Sequence, residues 1–282
     1  MRFVKFQGFG NDYIVIEKSA IGEMYPPGEL ARAICERRYG AGADGIAVIE
    51  PSSDAASDFF VRIFNPDGSE AGLSGNGTRC AAAYIHHQGL SHAQSLRLQT
   101  PARMAIYHLR EESADGQYLF DSELGKPTFS PDSIPMFSDD ERERTLDFPL
   151  ELAGGEMLRI TVLNVGNPHC AIFVEDFAGI EWRRIGAELE RHKLFPERIN
   201  VEFIRVLDAA NIELRIWERG VGETHSSGTC ASAAAVASVL NGKCNRRIAV
   251  ATQGGTLEVE WRERDDEIVL TGRARAVYEG IW

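Results

Sequence analysis

Alternating apolar and polar positions open the chain, so residues 2–7 and 13–17 read as strands joined by the turn GFGND, whose glycines let backbone approach a ligand closely. Residues 27–38 carry a helical pattern that starts at Pro27 and ends in the basic ERR, and YGAGADG then loops into the strand GIAVIE. FFVRIFN is a further strand, and Asn65-Pro66-Asp67-Gly68 is a turn in which Asp67 and Gly68 read as turn residues. Small and apolar residues from Gly77 to His87 suit a buried helix, with Arg79 on it and Cys80 as a small core residue. Residues 94–122 suggest a strand meander turning at Thr100-Pro101 and Asp115-Gly116. GKPTFSPDSIP and the charged run SDDERER break the pattern, which makes them the linker candidate, the charges forming a solvated loop. Strands near 145–151 and 157–164, the loop VGNPH, a helix at about 181–192, strands near 200–207 and 212–217, another Ala-rich helix and strands near 247–252, 256–262 and 267–271 complete the pattern.

The same plan occurs twice. RIFNPDGSEAGLSGNGTRC from Arg62 and RIWERGVGETHSSGTC from Arg215 align without a gap, so Ser74-Gly75 corresponds to Ser227-Gly228. Upstream, Gly10-Asn11 opens GNDYIVI as Gly166-Asn167 opens GNPHCAIFV, and Asp44 answers Asn200. Matches in the same order at near-constant spacing predict two related halves. Each Ser-Gly pair opens a helix, whose first N–H groups are unpaired and lie at its positive end, ready for a carboxylate or phosphate. Two such starts could grip one small anion from opposite sides.

Composition narrows the partners. Forty-two acidic against thirty basic residues give a formal charge of −12, which speaks against nucleic acid or an anionic membrane surface. No segment approaches the length of a membrane span, and MRFVKFQGFG lacks the apolar run of a signal peptide. Five cysteines without paired CxxC spacing favour neither a disulfide framework nor a zinc site, so a reduced cytoplasmic compartment is expected.

The strings FVKFQGFGNDY, GADG, RIFNPDGSEAG, GNGTRC, VGNPHC, NVEF, ERGVGET, SGT and LTG followed by VYEG resemble the diaminopimelate epimerase family of cofactor-independent amino acid racemases and epimerases, over essentially the whole length. The resemblance implies an α/β (α+β) fold of two pseudo-symmetric domains, each a curled, mostly antiparallel sheet around a central helix, with substrate in the cleft between them. It places the domains at residues 1–123 plus 273–282 and 124–272, so that RARAVYEGIW packs back onto the first half. The implied activity is inversion of the α-carbon of LL- or meso-diaminopimelate or a related amino acid by two-base proton transfer, in amino-acid and lysine biosynthesis. No cofactor and no metal is implied. The implied partner is the small-molecule substrate, and a homodimer is compatible with the family.

In that family two cysteines at the helix starts exchange the α-proton. Here those positions are Ser74 and Ser227. A hydroxyl holds its proton far more tightly than a thiol and needs an adjacent base, so His225, two residues before Ser227, and His169, after the GNP turn, are candidate bases. Each is alternatively an ordinary structural imidazole, and His86 and His87 lie a full helix beyond Ser74. Cys230 is either a relocated thiol or core packing. By resemblance Asn11, Asn65, Asn167, Asn200, Glu218 and Arg219 bind the polar ends of the amino acid, while the N–H groups of Gly75, Asn76, Gly228 and Thr229 take its carboxylate. Asparagines donate and accept, and the Glu-Arg pair offers one charge of each sign. For Asn11 a turn role bonding its own backbone stands beside this reading, and for Glu218 with Arg219 a structural ion pair. Two alternatives to the epimerase follow: an isomerase or lyase with a histidine base, and a non-catalytic amino acid binding protein.

Overall fold

The computed structural model describes residues 1–22, 25–72, 74–130, 133–137 and 144–282, so part of the expected linker, at 131, 132 and 138–143, lies outside the described residues. Contacts divide the chain into two compact units, residues 1–123 with 271–282, and residues 124–270.

In the first unit β1 (Arg2–Gly8) and β2 (Asn11–Glu17) form a hairpin whose two loop residues, Phe9 and Gly10, both have positive φ, 56° and 82°. That is the two-residue turn whose twist matches a right-twisted strand pair. β2 runs parallel to β3 (Gly45–Pro51), which pairs antiparallel with β4 (Phe59–Phe64). β4 takes the short β5 (Glu70–Ala71) on one side and runs parallel to β6 (Ser95–Gln99), from which β7 (Met104–Glu112) and β8 (Gln117–Gly125) continue antiparallel. β1 also pairs with the end of the last strand, from Arg2↔Ile281 to Gln7↔Arg275.

The helix α3 (Gly75–His87) is buried continuously from Gly77 to His86. A helix covered all round needs a sheet that curls about it. Its run of Ala81, Ala82 and Ala83 lets the strands come close, and Phe6, Val15, Ile63, Leu96 and Phe120 close the core. Strand alternation sends Tyr13 and Val15 into this core, and Ile14 and Ile16 into a second one with Ile34, Ile46 and Val48. Phe120 is fully buried, so Phe120→Ala is expected to cost about 3–5 kcal/mol of unfolding free energy, measurable as a lowered urea midpoint.

The second unit repeats the pairing order. β9 (Thr145–Glu151), β10 (Met157–Asn164) and β11 (Pro168–Phe173) are antiparallel, and β11 runs parallel to β12 (Asn200–Asp208) as β2 does to β3. β13 (Asn211–Glu218) pairs antiparallel with β12 and with β14 (Gly222–Thr224), and runs parallel to β15 (Arg247–Thr252), which pairs with β16 (Gly255–Trp261). The helix α5 (Gly228–Leu240) is buried from Cys230 to Ser238. In both units an outer helix fills the parallel crossover, α2 (Pro27–Ile34) before β3 and α4 (Trp182–Glu190) before β12. The fold is therefore α+β and dominated by sheet, as the resemblance implies.

Four details differ from the pattern read in the sequence. Helix α2 stops at Ile34, four residues short of Arg38, because the chain turns back there: Gly42 N donates to Ile34 O and Ala43 N to Cys35 O. The segment after VGNP is a strand, β11, since the loop signal covers only its first residues. The last strand, β17 (Ile268–Ile281), runs far beyond residue 271 without interruption. A short helix, α1 (Lys18–Ile21), also follows β2 directly.

Candidate functional site

Ser74 is the N-cap of α3, with extended backbone (φ −133°, ψ 119°), and its Oγ accepts from Gly77 N at 3.1 Å. The cap leaves the N–H groups of Gly75 and Asn76 without a hydrogen-bond partner among the described residues, so the helix start keeps an open anion seat. The parallel pairing of β2 with β3 brings Tyr13 beneath this start, and its phenol oxygen lies 2.8 Å from Ser74 Oγ. Gly45 makes this approach feasible, because a Cβ there would sit 2.8 Å from both Phe64 O and the Tyr13 ring.

Asn11 follows the tight turn and does not bond its own backbone: its Nδ2 donates to Asp44 Oδ2 at 2.7 Å, while its Oδ1 accepts from Asn76 Nδ2 at 3.2 Å. Asp44 and Asp12 are in turn held by Arg37. Burial would raise the Asp12 carboxyl, but hydrogen bonds from Arg37 and Lys5 outweigh it and lower the group to about 2. The polar chain is thus anchored by permanent charge. Asn65 stands apart from it, with its Nδ2 donating to Ser69 Oγ within its own turn.

Ser227 caps α5 in the same extended conformation (φ −143°, ψ 128°), yet its hydroxyl does not cap the helix. It donates instead to Glu218 Oε2 at 3.2 Å, and Thr224 Oγ1 donates to the other Glu218 oxygen at 2.6 Å. The hairpin of β13 and β14 causes this by folding Thr224 back opposite Ile216, which delivers the end of β13 to the start of α5. Burial pushes the Glu218 carboxyl above its ordinary range, against the hydrogen bonds from Thr224 and Ser227. Ser227 is 8% exposed, so this hydroxyl and carboxylate meet in a largely desolvated place. The N–H groups of Gly228 and Thr229 have no partner among the described residues.

His225, expected as a base for Ser227, is exposed and makes no side-chain hydrogen bond among the described residues. The acceptor beside the Ser227 hydroxyl is Glu218 instead. His169 is fully buried on β11, its Nδ1 2.6 Å from Glu202 Oε1 and its Nε2 2.7 Å from Asn167 Oδ1. Asn200 bridges Pro168 O and Arg219 N, holding the end of β13, whereas the Arg219 side chain is exposed and forms no ion pair with Glu218 among the described residues.

Two partners escaped the sequence reading. Tyr13 sits 61 positions from Ser74, and only the repeat, which matches Tyr13 to His169, marks it as a site position. Glu202 is an acid inside the buried run of β12, and a carboxylate in such a run needs a partner. Glu202→Gln alters a fully buried hydrogen bond to His169, so a loss of about 1–3 kcal/mol in unfolding free energy is expected by urea titration.

His169, Glu202 and Cys230, which no ligand spacing in the sequence links, converge within 4.8 Å. Both imidazole nitrogens are already engaged, and the 2.6 Å contact is a hydrogen-bond distance, so the cluster is better suited to sharing protons than to holding a cation. Burial pushes the Cys230 thiol well above its ordinary value, with Glu202 and Glu218 adding to the effect, so packing describes it and a relocated reactive thiolate does not.

Two solved structures share this fold over nearly the full length. A phenazine biosynthesis protein of the PhzF family from Bacillus anthracis superposes with TM-score 0.67 at 16% identity, covering 99% of this chain and 98% of that one. A hydroxyproline epimerase from Agrobacterium vitis, with bound trans-4-hydroxy-L-proline, also gives 0.67, at 15% identity and 99% and 91% coverage. The likeness to these proteins is one of fold.

The chain belongs to the diaminopimelate epimerase family, whose profile it matches over residues 3–128 and 161–277. It is 42% identical to the diaminopimelate epimerase of Moorella thermoacetica and 40% identical to that of Acetivibrio thermocellus, with 99% of this chain and 98% of each relative aligned. No helix among the described residues is long and apolar enough to cross a membrane.

Proposed function

We propose that the chain binds diaminopimelate, or an amino acid close to it, and moves the proton of its α-carbon without a cofactor, acting in the cytoplasm. The observation that carries this reading is the pair of matched half-sites: each unit offers an open helix start beside a hydroxyl that has its own proton partner, Tyr13 for Ser74 and Glu218 for Ser227. The helix N–H groups receive the carboxylate and stabilise the charge that grows as the α-carbon loses its proton. Glu218 takes the Ser227 proton, and Tyr13 shares one with Ser74.

A second reading, binding without turnover, is favoured by one observation: the partner of Ser74 is a phenol, a weaker base than a carboxylate in its neutral form and a poor activator of a hydroxyl. Incubation with LL- and meso-diaminopimelate in deuterated water separates the two. Deuterium at the α-carbon, with interconversion of the isomers, supports the epimerase. Calorimetric binding with no label supports the binding protein.

A further inference from the structure

Arg79 is the largest fully buried side chain of the described molecule, 1% exposed. A guanidinium removed from water is costly unless a carboxylate or several acceptors meet it. Among the described residues Arg79 forms no ion pair, its one side-chain hydrogen bond runs from Nη1 to Asn76 Oδ1 at 2.8 Å, and its Nε has no acceptor. The Phe9 ring centroid lies 5.7 Å from Cζ, and the guanidinium rests so closely on Gly272 that a Cβ there would be 2.8 Å from Cζ. Nearby Tyr107 and Cys80 supply no anion, because burial pushes both up to about 12.

Position adds to the cost. Arg79 lies one turn into α3, close to the positive end of the helix, where a cation is repelled. Burial accordingly pushes its pKa down. Such a charge is retained at a loss to the free protein, and the side chain it grips is Asn76, whose own N–H opens the anion seat.

We propose that Arg79 is the standing counter-charge of the anion seat at the start of α3: it orients Asn76 and keeps a positive potential behind the helix start, which the carboxylate of a bound amino acid completes. The identity of that ligand rests on the function proposed above; the anion seat does not. Arg79 is a positioning residue, acting through Asn76 and through its field.

The counter-charge has a signature that a structural prop lacks. Arg79→Met is expected to leave the melting temperature of the ligand-free chain unchanged or raised, and to weaken meso-diaminopimelate binding by about tenfold or more in calorimetry. Arg79→Lys, which keeps charge without the planar fork, should recover part of that affinity. A melting temperature lowered by more than about 4 °C in Arg79→Met and restored in Arg79→Lys would make the guanidinium a prop and overturn the counter-charge. So would an unchanged affinity in a folded Arg79→Met. Inorganic phosphate serves as the second probe: phosphate stabilisation present in the parent and lost in Arg79→Met, with no diaminopimelate bound by either, would keep the anion seat and remove the amino acid reading. A parent that takes neither ligand would remove both.

Discussion

Placing cysteine at both helix starts, Ser74→Cys with Ser227→Cys, is expected to raise α-proton exchange on meso-diaminopimelate by about 100-fold or more over the parent chain. A thiol has a reference pKa of about 8.5, and a helix start lowers it further. The helix end contributes at most about 2 kcal/mol, roughly 1.5 pKa units, which brings a thiol to working range and leaves a hydroxyl far from it. The surroundings are prepared for the exchange. At position 74 the Tyr13 phenol, 2.8 Å from the present hydroxyl, can donate to a thiolate. At position 227 the Glu218 carboxylate already accepts the hydroxyl proton at 3.2 Å and would accept one from a thiol. Either single substitution leaves one hydroxyl in the exchange, so the gain is expected only in the double variant. Mass-spectrometric deuterium uptake and the LL-to-meso ratio measure it. A folded double variant that binds diaminopimelate and shows no gain would mean that the pocket has moved away from this substrate's chemistry.

What could be read without coordinates was whatever is encoded locally or by repetition. The Ser-Gly pairs announce helix starts because cap and glycine chemistry is local, and the gapless match of Arg62 with Arg215 carries the rest of each half along. Contacts made by sheet register were not legible. Tyr13 reaches Ser74 only because β2 lies parallel to β3, and Glu218 reaches Ser227 only because β14 folds back on β13. His225 shows the converse: closeness in sequence made it the candidate base, and its side chain points to solvent. Glu202 was hidden for a third reason, since burial is a property of the packed strand and a glutamate does not announce it. The linker expected around SDDERER falls largely outside the described residues.

Glu218→Gln is expected to lower α-proton exchange by about 100-fold while leaving the chain as stable or more stable at neutral pH. The amide keeps the contacts to Thr224 and Ser227 in shape, yet it cannot take a proton. The stability sign follows from burial, which raises the folded-state pKa of Glu218 above that of the unfolded chain. Below the ordinary carboxylate range both states are protonated and the contribution is fully present. As the pH rises from there through the raised folded value, the unfolded chain releases its proton more readily, and the contribution is lost. Catalysis runs the other way, because the carboxylate must be ionised to receive the Ser227 proton. In the parent, exchange should therefore rise over the same pH interval in which the melting temperature falls, and Glu218→Gln should flatten both curves at once. Melting curves and deuterium uptake from about pH 5 to about pH 8 test this. A variant that loses exchange but keeps the parent's pH slope of stability would place the titrating group elsewhere. One that keeps exchange within about threefold of the parent would free Ser227 from Glu218 and move attention to the buried pair of His169 and Glu202 in the same unit.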